Sequence, residues 1–148
     1  MDFTFKFQKI LSIKETEKQR ALESYQQSIS EFESVAEKLY SFLKQKEDLE
    51  TNQLNKISDG ISVHEIKYHQ QFIMNLEKTI MHFQKLVISA RQKMHTQEEA
   101  LLEKNIEVKK YEKIKEKERA IQLELTKINE NKLMDDISIQ QFMNREIR

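Results

Sequence analysis

The chain of 148 residues lacks cysteine, proline and tryptophan and contains a single glycine. Without cysteine it can form no disulfide and offers no thiolate nucleophile, which suits a reducing compartment. Glycine and proline are the usual residues of tight turns. A chain with one glycine and no proline therefore has few turns, and its sequence predicts long uninterrupted elements instead of a compact domain with many loops.

Neither sign of charge is in excess, and no long apolar run occurs. The 25 basic and 25 acidic residues give a formal net charge of zero, whereas a nucleic-acid-binding protein should carry a basic stripe. No segment approaches the roughly 20 apolar residues of a membrane span. Lys6, Lys9 and Lys14 interrupt the apolar residues at the N-terminus, so we expect no signal peptide. These features predict a soluble intracellular protein that binds no nucleic acid.

The sequence also lacks the patterns that enzyme sites require. There is no glycine-rich loop to hold a phosphate group. The four histidines do not have the spacing of a metal site, and the carboxylates are scattered along the chain without a pocket that would shift their pKa values. We therefore expect no catalytic residue, no metal, no cofactor and no small-molecule substrate.

The composition favours helices, and one short segment carries a turn. Charged residues make up 34% of the chain and hydrophobic residues 38%, which is typical of long helices and coiled coils. Ser62 and Glu65 form the S-x-x-E capping box of a helix start, and Ile61 and Ile66 have the spacing of a hydrophobic staple. Gly60 supplies the positive φ of the turn. We predict an all-α fold, a single antiparallel two-helix coiled-coil hairpin over residues 1–148: helix 1 about 5–57, turn 58–61, helix 2 about 62–143.

Both arms carry apolar residues at alternating spacings of three and four, which indicates a left-handed coiled coil. Folding about residues 59–60 pairs position i with about 119 − i and brings Glu50 near His69. The predicted seam positions of the first arm are Leu11, Glu15, Lys18, Leu22, Tyr25, Ile29, Phe32, Ala36, Leu39 and Leu43. Those of the second arm are Ile66, His69, Ile73, Leu76, Ile80, Phe83, Val87, Ala90, Met94, Gln97, Leu101, Lys104, Val108 and Tyr111.

The second arm is longer than the first, so residues from about 119 onward overhang without a partner. The run KKYEKIKEKER, Lys109 to Arg119, holds six basic and three acidic residues. It is either a solvated helix face with i,i+4 ion pairs or a docking stripe for an acidic partner. The apolar tail KLMDDISIQQFM favours a docking peptide.

Near the turn, the chain has more apolar residues than one seam can bury. Such an excess either widens the seam, seals a dimer of hairpins, or marks a partner interface. The second arm has Tyr68, Phe72 and Leu86 on one flank and Met74, Met81 and Ile88 on the other; the first arm adds Val35, Phe42 and Leu49 outside its predicted seam.

Three segments resemble the FliJ family of the bacterial flagellar type III export apparatus. FKFQKILSIKE, from Phe5 to Glu15, is similar to the family's F-x-L-Q-x-L-L-x-L-R-E opening. KYHQQFIMNLEKTI, after the turn, resembles its Y-x-Q-F-I-x-x-L-E core. KLMDDI, from Lys132 to Ile137, resembles the family's M-D-E followed by an apolar residue. The resemblance covers nearly the whole chain.

This resemblance implies a non-enzymatic role with three kinds of partner. Family members resemble the central shaft of rotary ATPases: they dock in the ring of the export ATPase FliI and stimulate it, contact the cytoplasmic domain of the export gate FlhA, and escort export chaperones. The implied location is the cytoplasmic side of the cell membrane at the flagellar base. The gate surface falls on Phe72, Leu76, Phe42 and Leu49; the ATPase or chaperone contacts fall on Phe5, Phe7, Leu11, Met134, Asp135, Asp136 and Ile137. The alternatives from the residues are a self-associating structural coiled coil and a substrate-specific export chaperone.

Overall fold

The computed structural model describes residues 3–146, and these residues form two long helices that pack against each other. Helix α1 is Gln8–Asp59 and helix α2 is Val63–Glu146, and no strand occurs within residues 3–146. The predicted helical hairpin is confirmed. None of the helices in this part of the chain has an apolar stretch that could span a bilayer.

The turn between the helices is built by the residues that the sequence singled out. Gly60 has φ of 84°, and its N–H donates to the Ile57 carbonyl at 3.2 Å, which closes the end of α1. Ser62 caps α2, because its Oγ accepts a hydrogen bond from the Glu65 N–H at 3.3 Å. The predicted positive φ and the predicted cap are both confirmed.

The described part of the chain packs as two compact units. The turn unit is Gln19–Leu102, and the terminal unit combines the described residues 3–18 with residues 103–146. In both units a segment of α1 packs against a segment of α2.

In the turn unit, the seam of α2 follows the predicted stripe, with Leu76 and Ile80 buried and the other predicted positions partly buried. On α1, the predicted positions of this unit are partly buried except Leu43. Leu43 is exposed, whereas Phe42 lies in the seam, with its ring centroid 5.1 Å from that of Phe83. The side chains of α1 that are buried or partly buried in this unit are Ala21, Leu22, Tyr25, Ser28, Ile29, Glu31, Phe32, Val35, Ala36, Leu39, Phe42, Lys46, Leu49 and Gln53.

The reason for this difference is the register of the two helices. The turn is Gly60–Ser62, so its centre lies at residue 61 and not at 59–60. Cross-helix partners in the turn unit accordingly have residue numbers that add to 123–125, as for Lys46 with Glu77 and Phe42 with Phe83. The predicted sum of 119 was therefore four to six too low in this unit. The predicted layer of Glu50 and His69 was wrong as well, since Glu50 is exposed and lies 3.9 Å from Lys46.

The terminal unit has a small apolar core. Phe5, Leu11 and Val108 are buried together, and the residues packed against them are Phe3, Phe7, Tyr111 and Ile114. Residues 3–5 form a lead-in without regular structure, followed by a turn at 6–7 whose Phe5 carbonyl accepts a hydrogen bond from the Gln8 N–H. In this unit the residue numbers of cross-helix partners add to 121–123. From Arg119 to Glu146 every residue of α2 is exposed.

Candidate partner-binding site

The turn unit has two edges, one on each side of its seam. On the first edge, Lys93 donates to Glu31 at 3.0 Å. On the second edge, Lys46 Nζ lies 3.3 Å from Glu77, and the Arg91 guanidinium lies 5.9 Å from the centroid of the Phe32 ring. Because positions seven residues apart lie on one line of a coiled-coil helix, each edge can be followed along both helices from these contacts.

The first edge carries the phenylalanine face, which we define as Tyr68, Phe72 and Leu86. Leu86 and Phe72 lie seven and 21 residues before Lys93, on the same line of α2. The side chain of Phe72 is 48% exposed. It lines a shallow cavity of about 310 Å³ whose other walls are Gln45, Asp48, Leu49 and Asn52. An aromatic ring beside an open cavity is the kind of feature on which a partner can anchor a side chain.

The four residues predicted for the export gate do not share one environment. Phe72 is exposed, but Leu76 is only 7% exposed and belongs to the seam beneath it. Phe42 is partly buried against Phe83, and Leu49 is partly buried at the wall of the cavity. The reading of Val35, Phe42 and Leu49 as flank residues outside the seam was therefore wrong, because the register turns them toward α2. Of the four gate residues, Phe72 offers the largest surface.

The second edge carries the methionine face, which has a larger set of exposed apolar residues. Met74, Met81 and Ile88 recur every seven residues and are 58%, 60% and 60% exposed. Each lies three residues before an edge position of α2, so one turn of helix separates Met74 from Glu77. We define this face by its exposed side chains on both helices, Tyr40, Leu43, Leu54, Ile57, Met74, Met81 and Ile88.

A closed ring of four charges lies between the helices of the terminal unit. Glu17 lies 3.6 Å from Lys14 and 3.2 Å from Lys104, while Glu107 lies 3.2 Å from Lys14 and 3.9 Å from Lys104. The hydrogen bond from Lys104 lowers the pKa of the Glu17 carboxyl from its ordinary value. Contact with Glu107 raises the pKa of the Lys14 ammonium. Each of the four groups therefore has two neighbours of opposite formal charge.

The residues predicted for the ATPase or chaperones fall into two groups. Phe5 and Leu11 are enclosed in the core of the terminal unit, and Phe7 packs against that core with its ring 5.9 Å from Phe5. In contrast, the tail residues are all exposed on the unpaired part of α2, namely Met134, Asp135, Asp136 and Ile137. Only the tail group and part of Phe7 offer a partner surface in this state.

Sequence reasoning missed the charge ring and the cavity. It placed Lys104 in the seam of the second arm and Glu15 and Lys18 in that of the first, but Glu15 is exposed. The sequence did carry a signal for the charge ring. Each arm has a lysine followed three residues later by a glutamate, Lys14 with Glu17 and Lys104 with Glu107. The cavity walls of Gln45, Asp48 and Asn52 carried no signal, since polar residues on a helix flank usually face solvent.

Comparison with known proteins finds one family over almost the whole chain. The family model described as "Flagellar FliJ protein" matches residues 3–146. A protein of Bacillus subtilis (strain 168), named "Flagellar FliJ protein", is 53% identical over 143 residues, which is 97% of this chain and 97% of that protein. No solved structure matches the chain.

Proposed function

The chain belongs to the FliJ family of flagellar proteins, and from this membership we propose that it is the coupling shaft of the flagellar export apparatus. Membership makes it a non-enzymatic component of flagellar protein export. The proposal adds that one part of the hairpin docks in the ring of the export ATPase FliI and stimulates hydrolysis. Another part binds the cytoplasmic domain of the export gate FlhA at the cytoplasmic side of the membrane.

The observation that carries the gate contact is Phe72 on the phenylalanine face. A 48% exposed aromatic ring beside an open cavity supports an anchor site, and aromatic side chains in such positions often supply a large share of binding energy. Leu76 holds the backbone of Phe72 in place from within the seam, while Leu49 closes the cavity on the α1 side. The gate then recognises an apolar patch with an amide and carboxylate rim.

The ATPase contact is assigned to the terminal unit. Its seam includes the charge ring, and ion pairs that are partly exposed contribute less to packing than buried apolar layers do. Two helix segments joined in this way can rearrange their outer charges against successive ring subunits without exposing a large core. Phe5 and Leu11 contribute by holding the lead-in against α2.

The tail is assigned to the chaperones. Met134 and Ile137 are exposed one turn apart on a helix with no partner, and Asp135 and Asp136 lie between them. A chaperone groove with basic edges would accept such a helix by the helix-in-groove mode.

The gate contact is tested by titrating the full chain against the cytoplasmic domain of FlhA. We expect Phe72→Ala to raise Kd by roughly tenfold or more, as loss of an aromatic anchor does. Met81→Ala is the matched control, since Met81 is also exposed, at 60%, on the opposite edge. Equal affinities for the two variants, with unchanged helicity, would remove Phe72 from the gate contact.

The other two contacts need separate assays. Addition of the purified chain to FliI should raise its ATP hydrolysis rate, and the absence of any stimulation with both proteins folded would end the shaft proposal. For the chaperones, the double variant Met134→Ala with Ile137→Ala should lose binding, while Gln140→Ala with Gln141→Ala should retain it. Equal binding by both double variants would exclude the apolar tail residues.

A further inference from the structure

We propose that a second copy of the chain covers the methionine face, with α1 of one copy lying on α2 of the other. The inference does not rest on the export role, because it uses only the surface of the turn unit. The phenylalanine face lies on the opposite edge and stays open in this arrangement.

The first argument is the amount of apolar surface. Seven large apolar side chains make up this face, and their exposed fractions run from 42% for Leu43 to 70% for Leu54. At roughly 100 Å² each they present about 700 Å² per copy, close to the roughly 800 Å² per partner of a standard stable interface. A monomeric protein rarely leaves so large a patch in water unless it is a binding site.

The second argument is the spacing of the face. Met74, Met81 and Ile88 repeat every seven residues on α2, and on α1 the pairs Tyr40–Leu54 and Leu43–Ile57 are each 14 residues apart. A surface with this repeat follows the left-handed supercoil of the hairpin. Such a surface fits a partner with the same supercoil. A second copy of the hairpin has the same supercoil because it has the same structure. Two such hairpins form a four-helix bundle with crossing angles near 20°.

The third argument is the distribution of charge around the face, which selects both the occupant and its orientation. The charges on α1 in and beside the face are mostly acidic: Glu33, Glu37, Glu47 and Glu50, with Lys44; Glu47 lies midway between Tyr40 and Leu54, and Glu50 midway between Leu43 and Ile57. Those on α2 are mostly basic: Lys67, Lys78, Lys85 and Arg91, with Glu77. A two-fold axis parallel to the helices puts the acidic border of one copy on the basic border of the other, twice over. A two-fold axis perpendicular to the helices puts like charges together and is disfavoured.

In the favoured arrangement, Tyr40 of one copy lies near Met81 of the second copy, and the reverse contact follows from symmetry. Their residue numbers add to 121, against 123–125 for the cross-helix partners of the turn unit, so they lie within about one turn of helix of the same level. The methionines adapt their shape to the facing aromatic ring and to the leucine side chains around it.

The test is the mass of the full-length chain in solution, measured by light scattering and sedimentation across micromolar concentrations. We expect a dimer. Met81→Glu puts a carboxylate in the middle of the apolar contact and should weaken the dimer by at least about tenfold. The matched control is Phe72→Glu, an exposed position on the other edge, which should leave the dimer intact. A monomer at all these concentrations, or a dimer that only Phe72→Glu disrupts, overturns the proposal.

The orientation has its own test because the chain has no cysteine. Single-cysteine variants Tyr40→Cys and Met81→Cys, mixed under mild oxidation, should give a mixed disulfide between the two variants and little homodisulfide from either alone. Predominant Tyr40→Cys homodisulfide would place α1 on α1 and contradict the charge argument. Failure of these tests leaves the FlhA and FliI assays unaffected, because those use the opposite edge and the terminal unit.

Discussion

Replacing Gly60 by alanine isolates the contribution of one backbone angle to the hairpin. Gly60 has φ of 84°, which lies in the region that side-chain-bearing residues rarely adopt. A Cβ built at this position meets no heavy atom within 4 Å. The substitution therefore adds strain without a clash, and its cost arises from the backbone alone.

The magnitude follows from two opposing terms. Holding an L-residue in the left-handed region costs roughly 1–2 kcal/mol. Alanine also restricts the unfolded chain more than glycine does, which returns roughly 0.4–1 kcal/mol. We expect Gly60→Ala to lower the free energy of unfolding by about 1 kcal/mol, the difference between these terms. Gly60→Asn should lose less, because asparagine enters this region more readily.

The assay is urea unfolding followed by circular dichroism at the helix band, at one protein concentration because self-association shifts apparent stability. An unchanged midpoint for Gly60→Ala would show that the turn relaxes to another conformation at no cost. A loss above about 3 kcal/mol would show that tight packing also restricts this position, contrary to the open space around it. An asparagine variant less stable than the alanine variant would contradict the assignment of the cost to φ.

Three further predictions concern the cap, the seam and the charge ring. Ser62→Ala should lower the free energy of unfolding by about 1 kcal/mol through loss of the hydrogen bond to the Glu65 N–H, measured by urea unfolding with Ser58→Ala as control. Leu76→Ala should cost about 2–5 kcal/mol in the same assay, whereas Leu102→Ala, at an exposed position, should cost under about 0.5 kcal/mol; equal losses would contradict the assigned seam. The pKa of Glu17 is lowered in the folded state, so the stability that Glu17 contributes is present above its unfolded pKa and is lost as pH falls through the folded pKa. The pKa of Lys14 is raised in the folded state, so the stability that Lys14 contributes is present below its unfolded pKa and is lost as pH rises through the folded pKa. Thermal unfolding of Glu17→Gln should therefore depend less on pH at the acid end than that of the parent chain, and an identical pH dependence would exclude the ring as a source of stability.

The fold could be predicted from sequence because its signals are local and agree with one another. Gly60, Ser62 and Glu65 define the turn within six residues, and the structure gives Gly60 its positive φ and Ser62 its hydrogen bond from the Glu65 N–H. The stripe on α2 was also readable, because it keeps one alternation of three and four residues from Ile66 to Tyr111. Where local signals agree, a single sequence is enough.

The α1 stripe was harder to predict because it offers two apolar residues at several levels. Leu43 stands beside Phe42 and Ala36 beside Val35, and either residue of each pair continues a spacing of three and four. Periodicity alone cannot choose between them. The register of the two helices decides which residue of each pair faces α2. The register depends on the exact length of the turn, since a shift of the turn centre by one and a half residues changes the sum of the residue numbers of cross-helix partners by three. This is why the gate residues Phe42 and Leu49 were assigned to a flank and lie instead at the seam.

The two faces of the turn unit explain why this hairpin has more apolar residues than its seam uses. If the excess served only to widen the seam, it should occur on the sides of the helices nearest the partner helix and be at least partly buried. Met74, Met81 and Ile88 instead remain about 60% exposed on α2, one turn of helix from edge positions already occupied by Glu77 and Arg91. Phe72 is exposed at the other edge. Seam widening therefore accounts for Leu22, Ile29 and Ala36, which are partly buried, but not for either face. The two exposed apolar faces lie on opposite edges of one seam, so a substitution in one face should leave binding at the other unchanged.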